Sequence, residues 1–252
     1  MSASQSTVRK PSREQAASAV SPLAGESPPR LQPIDTTTLH ERAYAHLKRA
    51  MMAGLFRPGE AVTLRGVAEA LGTSVMPVRE AVRRLVSERA LEMPTSRSIR
   101  VPLMSREHFD DLCRCRVLLE GEAASLSAGN FDPPAVKQLS EIDREIEAKV
   151  AKGDMAAMLA ANQAFHFAVY GRCGSELLMS MIEALWLQSG PYLNLLTSPG
   201  PGRAAPEVDN TQHKKLIQAL SDGNAAAAKA AVRADIIEAA KLYRARIKSG
   251  DV

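Results

Sequence analysis

Cysteines are scarce in this chain, and their arrangement excludes a disulfide framework. The 252 residues contain three of them, Cys113, Cys115 and Cys173. The number is odd and the spacing matches no disulfide scaffold, while Cys113 and Cys115 stand too close together for a usual zinc knuckle. We therefore expect buried or inert thiols in a reducing cytoplasm.

Long apolar runs are missing as well. No stretch approaches the roughly 18 apolar residues that a membrane helix needs. The first residues, MSASQST, include no apolar segment of the kind that a secretory signal has. We therefore expect no membrane partner and a cytoplasmic location. Hydrophobic residues still make up 45% of the chain, which is enough for a buried core, and the length favours two domains.

The positive charge is concentrated in one short segment. Residues 37–103 contain 11 basic and 6 acidic residues, whereas residues 104–252 contain 17 basic and 19 acidic residues. A small basic module joined to a neutral-to-acidic one indicates that only the first part meets a polyanion such as DNA. A solvated basic face without a partner is the alternative on charge alone.

The basic segment has the pattern of a winged helix-turn-helix. Residues 1–36 are rich in Ser, Pro and Ala without an apolar period, and they predict a disordered tail. Within 37–103, the pattern predicts a helix over 39–52, a short helix capped by Thr63, and a third helix over 75–89 capped by Ser74. Two short strands, 91–93 and 98–101, are expected to form a hairpin wing.

The third predicted helix carries arginines on its polar side. Arg79 and Arg83 are four residues apart, so they lie one above the other on the same face. A guanidinium group in the major groove can reach guanine O6 and N7 or a phosphate. An exposed amphipathic helix of another function remains the alternative at this point.

From residue 104 to about 247 the pattern is helical almost throughout. The expected spans are 106–129, 133–152, 155–172, 175–197, 207–221 and 224–247. Asp154 and Ser175 stand at predicted N-cap positions. The expected fold is therefore mainly α: a winged helix-turn-helix followed by an all-α, six-helix antiparallel bundle.

The strings in the basic segment resemble those of a known family. They are Ala53–Glu60 (AGLFRPGE), Leu71–Ser74 (LGTS) and Pro77–Ala81 (PVREA). Together they resemble the DNA-binding domain of the GntR family of bacterial transcription regulators. In the bundle, Arg116–Glu120 (RVLLE), Phe165–His166 and His213 resemble the FadR-type, or FCD, ligand-binding domain of that family. The resemblance covers about residues 38–247.

This resemblance implies a homodimer, a palindromic double-stranded operator, and a small organic-acid effector bound in the bundle. The DNA-binding residues that it implies, together with Arg83 from the helix pattern, are Arg65, Ser74, Arg79, Arg83, Ser96 and Arg97. The chain departs from the family twice, with Val75 where the family usually has Arg and Ser98 where it usually has Gly at the wing tip. We therefore expect an altered operator preference.

The family also implies a metal site, which this chain carries in a permuted form. The family has one carboxylate and three histidines, and the corresponding residues here are Asn162, His166, His213 and Asp235. One carboxylate, two imidazoles and an amide oxygen suit a divalent metal such as Zn, Ni, Mn or Fe. The alternative is a metal-free pocket in which Asn162 and Asp235 hydrogen-bond the imidazoles.

Three further residues are expected at the effector. Arg116 lies on the inner face of the first bundle helix, where an unpaired charge is costly to bury. It either pairs with Glu120 four residues on or forms a bidentate ion pair with an effector carboxylate. Trp186 is expected either to wall the pocket or to pack as core.

The function predicted from these observations is a metabolite-responsive transcription regulator, usually a repressor. Two alternatives differ in class. The first is an architectural DNA-binding protein with an inert dimerisation bundle. The second is a metal-dependent enzyme, for which the chain shows neither an activated nucleophile nor a recognised catalytic string.

Overall fold

A computed structural model of the chain describes residues 38–197 and 209–248. The first part contains three helices, α1 to α3, and three short strands, β1 to β3. In chain order they are α1 Leu39–Met52, β1 Ala61–Thr63, α2 Leu64–Ala70, α3 Val75–Ser87, β2 Glu92–Thr95 and β3 Ser98–Arg100. The bundle helices are α4 Arg106–Ser127, α5 Pro133–Ala151, α6 Met155–Tyr170, α7 Glu176–Thr197, α8 Thr211–Ser221 and α9 Ala225–Lys248.

Local capping explains where most of these helices begin. Thr38 and Glu41 form a reciprocal capping box at the start of α1. The Thr63 hydroxyl accepts from the Gly66 amide at the start of α2, and the Asp154 carboxylate accepts from Ala157 at the start of α6. The predicted caps at residues 63 and 154 are therefore confirmed.

The wing differs from the predicted two-strand hairpin. The described strands form a three-stranded sheet in the order β1-β3-β2, with both neighbours antiparallel to β3. The additional strand β1 pairs Val62 with Ile99. This strand is three residues long and its partner lies 37 positions further on, so no local alternation could have revealed it. The turn is also shorter than expected, since β2 extends to Thr95.

The helix-turn-helix packs by one apolar face on each helix. On α3 the buried residues are Val78, Ala81, Val82 and Leu85, each at most 2% exposed. Full burial of a valine or leucine side chain contributes about 1.5–3 kcal/mol to the free energy of folding. The opposite face of α3, which carries the arginines, is therefore left toward solvent.

The bundle matches the predicted spans closely, with one correction. Residues 209 and 210 are not helical, and α8 begins at Thr211 and not at 207. The tail 1–36 and the predicted break at 198–202 lie outside the described residues. In the described ranges, no helix is both long and apolar enough to cross a membrane.

The winged helix and the bundle share one buried apolar cluster. It runs from Leu47 and Met51 of α1 to Ile182 and Trp186 of α7. An ion pair of 2.6 Å between Lys48 Nζ and Glu183 Oε2 joins the same two helices. The first part of the chain therefore rests on α7 through packed side chains.

Candidate functional site

The winged helix presents its arginines to solvent. Arg65 is 84% exposed and pairs with Glu69, and Arg83 is 62% exposed and pairs with Glu80. Such exposed pairs contribute little to stability. Because the guanidinium groups remain accessible, they are available to a phosphate or a base edge.

Arg79 connects the recognition helix to the wing. Its Nη1 atom donates a 2.8 Å hydrogen bond to the backbone oxygen of Ser96. Ser96 and Arg97 form the exposed turn of the wing, and the Arg97 backbone oxygen accepts from the Leu64 amide. The predicted DNA-binding residues of α3 and of the wing therefore lie side by side.

The structure shows where the two residues that depart from the family pattern, Ser98 and Val75, are located. Ser98 belongs to β3, and the only described non-glycine residue with positive φ is Arg89, so the wing needs no glycine at 98. Val75 is half-buried at the start of α3. Ser74 occupies the N-cap position of this helix, but in the described structure its side chain makes no capping hydrogen bond.

In the bundle, His166 of α6, His213 of α8 and Asp235 of α9 bring their ligand atoms together. One atom from each residue lies within 4.8 Å of the others. His166 Nε2 is 3.4 Å from Asp235 Oδ2, and His213 Nε2 is 4.0 Å from Asp235 Oδ1. Both histidines are buried, whereas the Asp235 side chain is 28% exposed. The cluster is therefore open on the side of Asp235.

Asn162 lies one turn before His166 on α6, as its spacing predicted, and it is half-buried. Among the described residues its amide has no hydrogen-bond partner. The metal-free alternative expects both Asn162 and Asp235 to contact the imidazoles, and in the described structure only Asp235 does so.

Two side chains that the sequence analysis missed hold the imidazole rings. Asp143 Oδ1 lies 3.1 Å from His213 Nδ1, and Tyr170 Oη lies 3.1 Å from His166 Nδ1. A carboxylate only accepts, so His213 carries its hydrogen on Nδ1. The Tyr170 hydroxyl donates to Glu120 at 2.9 Å, so it accepts from His166 Nδ1. Both Nε2 atoms therefore face Asp235 and are the ring atoms left for a metal.

The pKa of Asp235 reflects this setting. Burial alone would raise it, but the hydrogen bond from His166 and the neighbouring charges outweigh burial and hold the pKa below its ordinary value. The carboxyl group therefore stays ionised beside the Nε2 atoms of both imidazoles. Two imidazoles and an ionised carboxylate can bind a divalent cation once the ligand nitrogens carry no hydrogen.

Glu120 is the centre of a buried polar network behind His166. It is fully buried and accepts from Arg116, Tyr170 and Trp186. The Arg116 Nε atom donates at 2.6 Å and the Trp186 indole at 2.9 Å. Of the two alternatives for Arg116, the structure shows the ion pair with Glu120.

The network keeps Arg116 and Tyr170 in fixed protonation states. Burial alone would lower the pKa of Arg116, but the charge of Glu120 outweighs it and raises the pKa. Burial, together with the Glu120 charge, raises the pKa of Tyr170 well above its ordinary value. Arg116 therefore stays charged and Tyr170 stays a neutral donor, which fixes the His166 ring.

A small cavity of about 20 Å³ lies beside Arg116, between α4, α7 and α9. Ser189 lines it, and in the described part of the chain Ser189 Oγ is the single buried side-chain polar atom without a hydrogen-bond partner. This volume holds one water molecule and excludes an organic acid.

A winged helix-turn-helix with exposed arginines, joined to a helical bundle that contains a buried polar site, defines a DNA-binding transcription regulator. Residues 39–101 match "Bacterial regulatory proteins, gntR family", and residues 111–238 match "FCD domain". The chain belongs to the GntR family of transcription regulators, with an FCD domain, and it is not an enzyme.

Individual relatives agree with this assignment. The HTH-type transcriptional regulator McbR of Escherichia coli K12 is 35% identical over 69% of this chain and 78% of its own length. The HTH-type transcriptional repressor GlaR of the same organism is 29% identical over 59% of this chain and 70% of its own. The solved structure of E. coli McbR/YncC covers 82% of this chain and 98% of its own, with a TM-score of 0.73.

A GntR regulator of Rhodococcus sp. RHA1 shares the fold. Its solved structure covers 82% of this chain and 97% of its own, with a TM-score of 0.62 and 22% identity.

Proposed function

We propose that the protein is a repressor that binds operator DNA through residues 37–103 and senses a small organic acid through residues 104–247. The observation that carries the sensing half is the convergence of His166, His213 and Asp235 within 4.8 Å. Both rings are oriented by hydrogen bonds at their other nitrogen. Such supporting contacts are typical of metal-ligating histidines.

In this proposal the two histidines and Asp235 hold a divalent metal, with Zn, Ni, Mn or Fe as candidates. Asn162, half-buried on the same face of α6 as His166, adds an amide oxygen. The donors are two imidazoles, one carboxylate and one amide, which is a suitable set for these ions. When bound, such a metal would attract the carboxylate of an organic acid.

The effector is a small organic acid that reaches the metal from the open side of Asp235. Arg116, Glu120 and Trp186 form the layer behind His166, since the Trp186 ring lies 5.5 Å from the His166 ring and 4.8 Å from the Arg116 guanidinium. An acid that displaces Glu120 from Arg116 would change the hydrogen bond of Tyr170 to Glu120, and through Tyr170 the position of the His166 ring. These three residues therefore link effector and metal in the proposal.

The DNA half rests on the exposed arginines. Arg65, Arg79 and Arg83 face solvent or the wing turn, together with Ser74, Ser96 and Arg97. We infer that a homodimer places two such surfaces on a palindromic operator. Repression is supported by GlaR and by a probable D-xylose utilization repressor of Paenarthrobacter nicotinovorans, 28% identical over 76% of this chain. Because a transcription regulator acts on the chromosome, the proposed location is the cytoplasm.

The metal is tested by elemental analysis of the full chain, purified without chelators or a histidine tag. We expect close to one equivalent in the wild type and much less in His166→Ala and His213→Ala. His108→Ala is the matched control, because His108 lies exposed on α4, and it should retain the metal. Equal metal in all four proteins would contradict this site.

The effector is tested by DNA binding in the presence of a panel of di- and hydroxycarboxylic acids. The probe is the duplex that the wild type selects from a randomised pool. At least one acid should change the affinity, typically by 5- to 150-fold, and His166→Ala should respond less. If the protein binds DNA but no acid changes the affinity, the proposal that it senses an organic acid is contradicted. If no sequence is selected from the pool, the alternative of an architectural DNA-binding protein is favoured.

A further inference from the structure

Met76, the second residue of the recognition helix α3, points away from the protein. Its side chain is 64% exposed, whereas Val78, Val82 and Leu85 of the same helix are fully buried. Successive helix positions turn by about 100°, which places Met76 opposite the centre of this apolar face. A large apolar side chain therefore projects from the N-terminal end of the helix.

The neighbours of Met76 on this face are charged and engaged with other groups. Arg79, Glu80 and Arg83 follow at three, four and seven positions, so they share its face. Arg79 binds the wing at the Ser96 carbonyl, and Arg83 pairs with Glu80 at 2.8 Å. Met76 is therefore an apolar side chain among polar groups that are suited to bind DNA.

The N-terminal residues of a recognition helix contact base edges in the major groove. Among the four bases, thymine alone presents a methyl group there, at C5. Methionine is unbranched and polarizable, so it adapts to such a contact. We propose that Met76 is a specificity-determining residue that reads a thymine of the operator by apolar contact with the 5-methyl group. This rests on the proposed DNA-binding function.

The test replaces thymine by deoxyuridine, which removes the methyl group and keeps the hydrogen bonds of the base pair. The full-length wild type first selects a duplex from a randomised pool, and its thymines are then replaced one at a time. Replacement of the thymine that Met76 contacts should weaken binding about four-fold, which is the effect of losing one buried methyl-sized group. Met76→Ala and Met76→Gln should bind the deoxyuridine and thymine duplexes equally.

Leu55→Ala is the control, because Leu55 is 53% exposed but lies in the turn after α1. It should keep the four-fold loss. If wild type and Met76→Ala lose the same affinity at every deoxyuridine, or if no replacement weakens the wild type, the assignment of Met76 is overturned while sequence-specific binding stands. Selection of no duplex at all contradicts the DNA-binding proposal itself, and the assignment of Met76 with it.

Discussion

Gly190 of α7 lies directly against the backbone of Met51 in α1. A Cβ atom at Gly190 would overlap the Met51 carbonyl oxygen and would stand 2.7 Å from Met52 Cα. Pro191 follows inside the helix, and Tyr192 donates a 2.8 Å hydrogen bond to the backbone oxygen of Pro102, just after the wing. If this part of α7 shifts, α1 must move with it or the contact must open. These contacts therefore connect the bundle to the DNA-binding part.

Gly190→Ala tests this contact. The new methyl group meets backbone atoms, which cannot turn away as a side chain can, so we expect a loss of about 1–3 kcal/mol in the free energy of unfolding. Urea unfolding measures it. Gly129→Ala is the control, since a Cβ there meets nothing within 4 Å and the residue has no positive φ. Equal effects of the two changes would speak against close packing at Gly190.

Glu120→Gln tests the buried network. The change leaves the Arg116 charge buried without its partner, which typically costs about 3–5 kcal/mol. Glu122→Gln, two residues on in α4, removes an exposed pair with Lys229 and should change stability by less than about 1 kcal/mol. Chemical unfolding of both variants decides the matter, and a Glu120→Gln variant as stable as Glu122→Gln would refute the role of the network.

Tyr192→Phe tests the contact with Pro102 through its pH dependence. Burial raises the pKa of Tyr192 to about 12 from its ordinary value of 10.0. Because the folded-state pKa is the higher one, the contribution of this hydroxyl is complete below pH 10 and is lost as the pH rises toward 12. Loss of the hydrogen bond should cost about 0.5–1.5 kcal/mol at neutral pH.

The measurement is the free energy of unfolding of wild type and Tyr192→Phe from pH 7 to pH 11. The difference between them should be constant up to about pH 9 and should shrink above pH 10. A difference that keeps its neutral-pH value at pH 11 would contradict the buried position of the hydroxyl.

Arg79→Ala tests the surface formed by α3 and the wing. If Arg79 contacts a phosphate, binding should weaken for all sequences alike and the salt dependence should fall by about one unit of slope. If it contacts guanine, preference at one position should relax, at about 1–3 kcal/mol. Titrations at several salt concentrations separate the two. Arg114→Ala, an exposed arginine on α4, should leave DNA binding unchanged.

Much of the fold could be read from local patterns. The apolar spacing in α1, the cap at Thr63 and the cap at Asp154 are short-range features, and the structure places these helices within one or two residues of the prediction. The strand β1 could not be read in this way, because it exists only through its pairing with β3.

The candidate site was predictable in its ligands but not in its support. Asp143 falls on the buried stripe of α5 with Leu139 and Ile146, and a carboxylate on an apolar face was a usable signal. Tyr170 lies one turn after His166, which is a weaker signal because an aromatic residue at helical spacing also suits a core.

The class of protein follows from local patterns in the chain, since helical periodicity, caps and the strings in the basic segment are properties of neighbouring residues. Three contacts depend on the packing of the folded chain: Arg116 pairs with Glu120, Asp143 and Tyr170 orient the two histidines, and Gly190 lies against the backbone of Met51. These contacts join residues of different helices or select among partners within reach, and burial makes the selected pairing the favourable one.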